Sequence, residues 1–170
     1  MYRGDISDPR WRSPRRQVGT ACGFRETHGR AGRTLPRMRT QRSVIDYALA
    51  RRAVLADLFA GRASALDVCD AHPYLLSAAK YHGETTADQC PVCRKSPLTH
   101  VTYTYGDSLK ESSGRVRATA ELPGLAREHE AFTVYVVEVC RECGWNHLVT
   151  SYVLGTGGVA ARRRRAAGRS

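Results

Sequence analysis

Four cysteines fall into two pairs, Cys90-Pro91-Val92-Cys93 and Cys140-Arg141-Glu142-Cys143, with 46 residues between the pairs. Two residues between thiolates let one tight turn aim both sulfurs at a single ion, and two such knuckles complete a tetrahedron of the kind that binds zinc, with zinc–sulfur bonds of about 2.3 Å. Cys90, Cys93, Cys140 and Cys143 are therefore expected to hold one structural Zn²⁺. The separation exceeds the roughly 15 to 20 residues usual in such sites, and a polar span between flanking strands accounts for the excess. Disulfides are disfavoured in a reducing compartment. A dithiol redox centre, which places an activated thiolate at a helix start, fits poorly with pairs that adjoin strand-like segments. Other thiolate-bound metals, including an iron–sulfur cluster, remain as alternatives to zinc. Four thiolates leave no open coordination position, which argues against metal-assisted hydrolysis.

A zinc ion with four thiolates carries a formal charge of −2, and Arg94, Lys95 and Arg141 stand within one or two residues of the ligands, where they offset it. Cys69 lies on an apolar stripe and is read as a small core residue; Cys22 is read as inert. None of His28, His72, His82, His100, His129 and His147 sits in a nucleophile or metal motif, and His82 and His147, nearest the knuckles, are read as supporting or surface residues. Phosphate-binding glycine loops and nucleophile elbows are missing from the sequence. The chain is thus expected to be non-catalytic, with no small-molecule substrate evident.

Stepping outward from the cysteines, the segments 98–105, 132–140 and 146–154 are rich in Val, Thr and Tyr and predict three antiparallel strands. The 106–131 span between the first two is polar and predicts one short helix beyond Gly124. Upstream, apolar residues at helical spacing (Val44, Ala48, Leu55, Leu58 beside Ile45, Leu49, Phe59) predict a helix over 40–60 capped by Thr40 or Ser43, with Arg51 and Arg52 on its outer face and Gly61 as its left-handed stop. Ser64 caps a second short helix, and Pro73 opens a third that ends near Gly83. The expected fold is α+β, with an N-terminal helical unit of two to three helices over 38–83. A three-stranded antiparallel zinc ribbon with a long insertion follows over 84–157.

The 170 residues suit one modest core with tails. The formal charge of +11 sits at the ends: residues 1–37 carry nine Arg/Lys against three Asp/Glu, and residues 162–170 carry five arginines. Residues 1–37 read as a disordered basic arm, with Met38 as the expected natural start, and 158–170 as a flexible Arg-rich tail. No apolar run reaches the roughly 18 residues of a membrane-spanning helix, and no secretory signal is evident, so a cytoplasmic location is expected.

The stretch Asp67-Val-Cys-Asp-Ala-His-Pro-Tyr-Leu-Leu, the first knuckle, the strand from Thr99 to Asp107, and Phe132-Thr-Val-Tyr-Val-Val-Glu-Val-Cys-Arg-Glu-Cys-Gly-Trp-Asn-His-Leu resemble a small actinobacterial family of unknown function over about residues 39–155. The resemblance implies a cytoplasmic, zinc-binding protein and brings no activity. More loosely, the ribbon is similar to zinc ribbons of RNA polymerase subunits and ribosomal proteins, which implies an adaptor that docks on the transcription or translation machinery. Tyr103, Tyr105, Tyr135, Trp145 and Tyr152 are the aromatic groups such a sheet would present, with packing against the helices as the competing reading. Arg162, Arg163, Arg164 and Arg165 would add weak, salt-sensitive nucleic-acid contact. The alternative function is a thiol-based redox or metal-responsive sensor using the two C-x-x-C pairs.

Overall fold

A computed structural model describes residues 41–157. The expectations for the 1–37 arm, the start at Met38, Cys22, His28, the Thr40 cap and the Arg162–Arg165 tail lie outside those residues.

In chain order the elements are β1 (Arg42–Asp46), α1 (Ala48–Phe59), α2 (Ala65–Val68), α3 (Pro73–His82), β2 (Glu84–Gln89), β3 (Pro97–Tyr105), β4 (Arg115–Val116), α4 (Leu122–Glu128), β5 (Phe132–Val139) and β6 (Asn146–Leu154). The α+β class holds. The sheet, however, has six antiparallel strands rather than three: its order is β1-β6-β5-β3-β2, and β4 pairs with β3. The three central strands are those the Val/Thr/Tyr pattern predicts; the added strands lie at the margins. β2, Glu-Thr-Thr-Ala-Asp-Gln, is exposed at all but one position and is held by main-chain pairing, so no apolar alternation marks it.

The single helix expected over 40–60 is instead a strand and a helix. Ser43 adopts a positive φ of 49° within β1, whose register shifts between Arg42 and Ile45, and Asp46 Oδ1 accepts from the Ala48 amide at 2.7 Å where the helix begins. β1 pairs with β6, so the residues preceding the helices join the same sheet as the cysteine segments. The apolar stripe is accordingly split. Leu55 is buried, whereas Ile45, Leu49 and Phe59 face solvent. Ser64 caps α2 reciprocally with Asp67, and His72 Nδ1 accepts from the Tyr74 amide ahead of α3, with Pro73 in the first turn. Gly61 has the left-handed φ of 71° expected of it. The insertion helix starts at Leu122, before Gly124 rather than after it, because Pro123 occupies its first turn, where a missing N–H costs nothing.

One sheet face carries Leu98, His100, Thr102 and Thr104 of β3 in register with Glu138, Val136 and Val134 of β5. At the knuckle end α1 and α2 cover it, with Leu55, Val68, Leu98 and Trp145 packed around the cysteines. The 106–131 excursion covers the far end, where Leu109 and Leu122 pack on Phe132, Val134, Tyr152 and Leu154. The opposite face receives α3, whose Ala79 meets Val101 and Val139. Trp145 is fully buried and Tyr152 nearly so, which removes both from the presented aromatic set. Tyr103, Tyr105 and Tyr135 remain half-buried, and Tyr103 packs beside α3.

Gly83, at the end of α3, is required by space rather than by conformation. Its backbone is extended, but a Cβ there would lie 2.3 Å from Thr99 Cγ2 and 2.5 Å from the Ala79 carbonyl oxygen. Gly83→Ala should cost about 1 to 3 kcal/mol in urea unfolding through overpacking. Gly124→Ala, inside α4 with nothing within 4 Å of the new methyl, should instead stabilise by about 0.5 to 1 kcal/mol.

Candidate metal centre

β5 runs directly into the second knuckle, and β6 leaves it; the first knuckle sits between β2 and β3 at the same end of the sheet. The two turns are built alike. The Arg94 amide donates to the Cys90 carbonyl at 3.1 Å and the Gly144 amide to the Cys140 carbonyl at 3.0 Å, and both residues have positive φ, 55° and 81°. The Cys90 amide donates to the Ser96 carbonyl and the Cys140 amide to that of Trp145. Within each turn the amides curl onto the leading sulfur: those of Val92 and Cys93 onto Cys90, those of Glu142 and Cys143 onto Cys140. At Gly144 a side chain would strike the Cys69 carbonyl at 2.9 Å, so glycine answers both a left-handed turn and a close backbone approach.

The four predicted sulfurs converge, all within 4.8 Å of one another. Cys90 and Cys143 are 3.7 Å apart, and Cys93 and Cys140 3.6 Å. A tetrahedron with metal–sulfur bonds of about 2.3 Å has sulfur–sulfur edges of about 3.8 Å, so the donor set and its spacing fit zinc. Cys90 and Cys140 are buried; Cys93 and Cys143 are partly accessible. Burial pushes the thiols of Cys90 and Cys143 up to about 12. The same burial opposes ionisation of Cys140, but the Ser96 hydroxyl, 3.3 Å from its sulfur, and the two knuckle amides outweigh it and bring that thiol down to about 7. A cluster in which burial opposes ionisation of Cys90 and Cys143 is one in which a divalent cation would displace protons on binding.

Around the sulfurs lies a polar arrangement that the sequence reading passed over. Glu138 is buried in β5, and its Oε1 accepts from Trp145 Nε1 at 2.8 Å and from Arg51 Nε at 2.6 Å. Arg51, expected on the outer face of its helix, therefore turns inward and ties α1 to the second knuckle through Trp145. His100 and His147 flank Glu138 across the strands, and His147 stacks on Trp145 with ring centroids 6.0 Å apart. The one signal that could have revealed this cluster is a carboxylate inside the apolar run Val134-Tyr-Val-Val-Glu-Val139, two residues before a ligand. Arg94, Lys95 and Arg141 stand exposed next to the cysteine turns. His82 ends α3 on the surface, and His72 caps that helix. Cys69, read as a core residue, abuts the tetrad without belonging to it.

Residues 38–168 match a family of unknown function, DUF5318. The chain belongs to that family. It is 52% identical over 111 residues to uncharacterized protein Rv0049 of Mycobacterium tuberculosis and, equally, to uncharacterized protein Mb0050 of Mycobacterium bovis. The alignment covers 65% of this chain and 81% of each relative. No solved structure matches the chain. Among the described residues, no helix is long and apolar enough to cross a membrane.

Two expectations follow from the Glu138 cluster. Glu138→Ala should cost about 2 to 3 kcal/mol in urea unfolding, below the roughly 3 to 5 of a fully buried pair because Arg51 reaches solvent, and Glu138→Gln should cost less because an amide oxygen still accepts from Trp145. Burial holds His100 below the usual imidazole range despite the opposing pull of Glu138, Asp88 and Glu84. The unfolded chain, with a histidine pKa near 6.5, takes up that proton first as the pH falls. This contribution to stability is complete above about pH 6.5 and is lost as the pH falls from there towards the depressed folded value. His100→Gln should flatten the pH dependence of unfolding in that window.

Proposed function

We propose that Cys90, Cys93, Cys140 and Cys143 hold one structural Zn²⁺ and that the chain is a non-catalytic zinc-ribbon-like adaptor. The observation that carries this reading is a set of four sulfurs all within 4.8 Å of one another, two pairs of them at 3.6 and 3.7 Å, in which a four-coordinate ion would have every position filled by a cysteine and none left for water or substrate. Such a centre makes a rigid platform. The partner belongs to the transcription or RNA machinery, including translation, and docks through the helices and the half-exposed Tyr103, Tyr105 and Tyr135 of the sheet, while Arg162–Arg165 add general phosphate attraction. Capture of tagged protein at low salt should recover RNA polymerase, ribosomes or nucleic acid, and recovery of none of them would sink the adaptor reading. Deleting the four arginines should weaken nucleic-acid association uniformly across sequences and flatten its salt dependence.

The zinc reading has a stringent test of its own. Structural zinc contributes roughly 10 to 16 kcal/mol in small peptides, as much as the whole stability of a typical domain at about 5 to 15. Cys90 and Cys140 share a core with Leu55, Val68 and Trp145, so metal loss removes the support of α1 and α2 along with the knuckles. Purified protein should contain one zinc per chain by elemental analysis. Chelation or Cys140→Ser should collapse the NMR dispersion of residues 48–68 together with that of 88–100 and 136–148. A Cys140→Ser protein that kept stoichiometric zinc and native dispersion would show the ligand set to be wrong.

A further inference from the structure

A fifth cysteine lies against the four. Cys69, at the end of α2, packs in the core that contains all four cysteines of the tetrad, with its side chain beside that of Cys143. Its place there is fixed by the main chain as well. The Ala71 amide donates to the Gly144 carbonyl at 2.9 Å, Asn146 Nδ2 donates to Asp70 Oδ1 at 3.0 Å, and the Cys69 carbonyl fills the space that a side chain at 144 would need. The 69–71 linker is thus docked on the second knuckle, and it delivers a thiol that is no part of the tetrad to the sulfur of one member.

That member is also open to attack. Cys90 and Cys140 are fully buried, whereas Cys143 and Cys93 are partly accessible, and of those two it is Cys143 that Cys69 lies beside. We propose that Cys69 and Cys143 form an oxidisable dithiol, a modification site through which a hydroperoxide opens the metal centre. The inference rests on the zinc reading above. Cys143 thiolate attacks one peroxide oxygen: a sulfur–oxygen bond forms, the oxygen–oxygen bond breaks, and the departing hydroxide takes a proton to leave as water. Cys69 sulfur then attacks the resulting sulfenic acid. A sulfur–sulfur bond forms, the sulfur–oxygen bond breaks, and the leaving hydroxide departs as water with the Cys69 thiol proton. Two cysteine sulfurs are oxidised by two electrons in total, the peroxide is reduced, and the zinc is left with three protein ligands. A disulfide within the tetrad would need two ligands to leave the metal together; Cys69 makes the same oxidation at the expense of one.

The test uses the full, zinc-loaded chain titrated with hydrogen peroxide. A chromogenic chelator follows metal release, and alkylation with peptide mass mapping locates disulfides. In the wild type, the first linkage should join Cys69 to Cys143, with release of one zinc per linkage and recovery of both thiols and metal on adding dithiothreitol and zinc. Cys69→Ser should bind zinc as the wild type does, form no linkage at Cys143 and carry Cys143 on to the sulfinic acid, so that dithiothreitol and zinc no longer restore the thiol or the metal. Cys69→Ala repeats the measurement if the serine variant fails to fold. Full recovery of thiols and metal in these variants on adding dithiothreitol and zinc, or a first linkage confined to Cys90, Cys93, Cys140 and Cys143, would overturn the proposal while leaving the zinc reading intact. A wild-type chain purified without zinc would instead overturn the zinc reading, and the disulfide map would still report on the dithiol.

Discussion

Two turns 46 residues apart in the chain bring their sulfurs to one point, and the sheet is the means of doing so. β5 feeds the second knuckle and β3 leaves the first; the unbroken antiparallel register between them, from Thr99 opposite Val139 to Tyr105 opposite Thr133, fixes the distance between the knuckles. The closure entropy of the intervening 106–131 excursion is modest, because that cost rises only logarithmically with length. What the excursion adds is cover. Leu109 and Leu122 seal the end of the sheet that the cysteines cannot reach.

The buried carboxylate is the second point of constraint, and its cost shapes its neighbourhood. A charge at Glu138 is tolerable in β5 only because two donors converge on the same oxygen, one from α1 and one from the residue that carries the knuckle onward. Helix, sheet and cysteine turn are therefore joined by directional bonds as well as by packing. Apolar contact among Leu55, Val68 and Leu98 would by itself allow the helix to slide; the charge-assisted bond from Arg51 Nε to Glu138 fixes where along β5 it sits.

Legibility in the sequence followed the same division between local and distant causes. β3, β5 and β6 could be read almost to the residue, because each is long, central and apolar on at least one face. The four clustered cysteines were legible because two-residue spacing is a local property. β2 and β1 were not: the first has no apolar residue larger than Ala87, and the second is a short run whose apolar residues continue the helical spacing of α1 without a break. Arg51 looked like one of a solvent-facing pair because its partner lies 87 positions away, and Cys69 looked like simple core because nothing near it in sequence indicates which sulfur it meets.

The two marginal strands that escaped prediction also set how open the edges of the sheet are. A sheet with open edges offers unpaired amides and carbonyls to any passing strand. Among the described residues one rim is β2, with Glu84 and Asp88 among its exposed side chains, and the other is β1, bent at Ser43 by a left-handed residue that spoils a straight pairing register. Neither rim makes a good template for strand addition. The central strands, rich in valine and strongly prone to pair edge to edge if uncovered, are thereby shielded from strand addition, a safeguard that matters most during synthesis, before helices and excursion have covered the sheet.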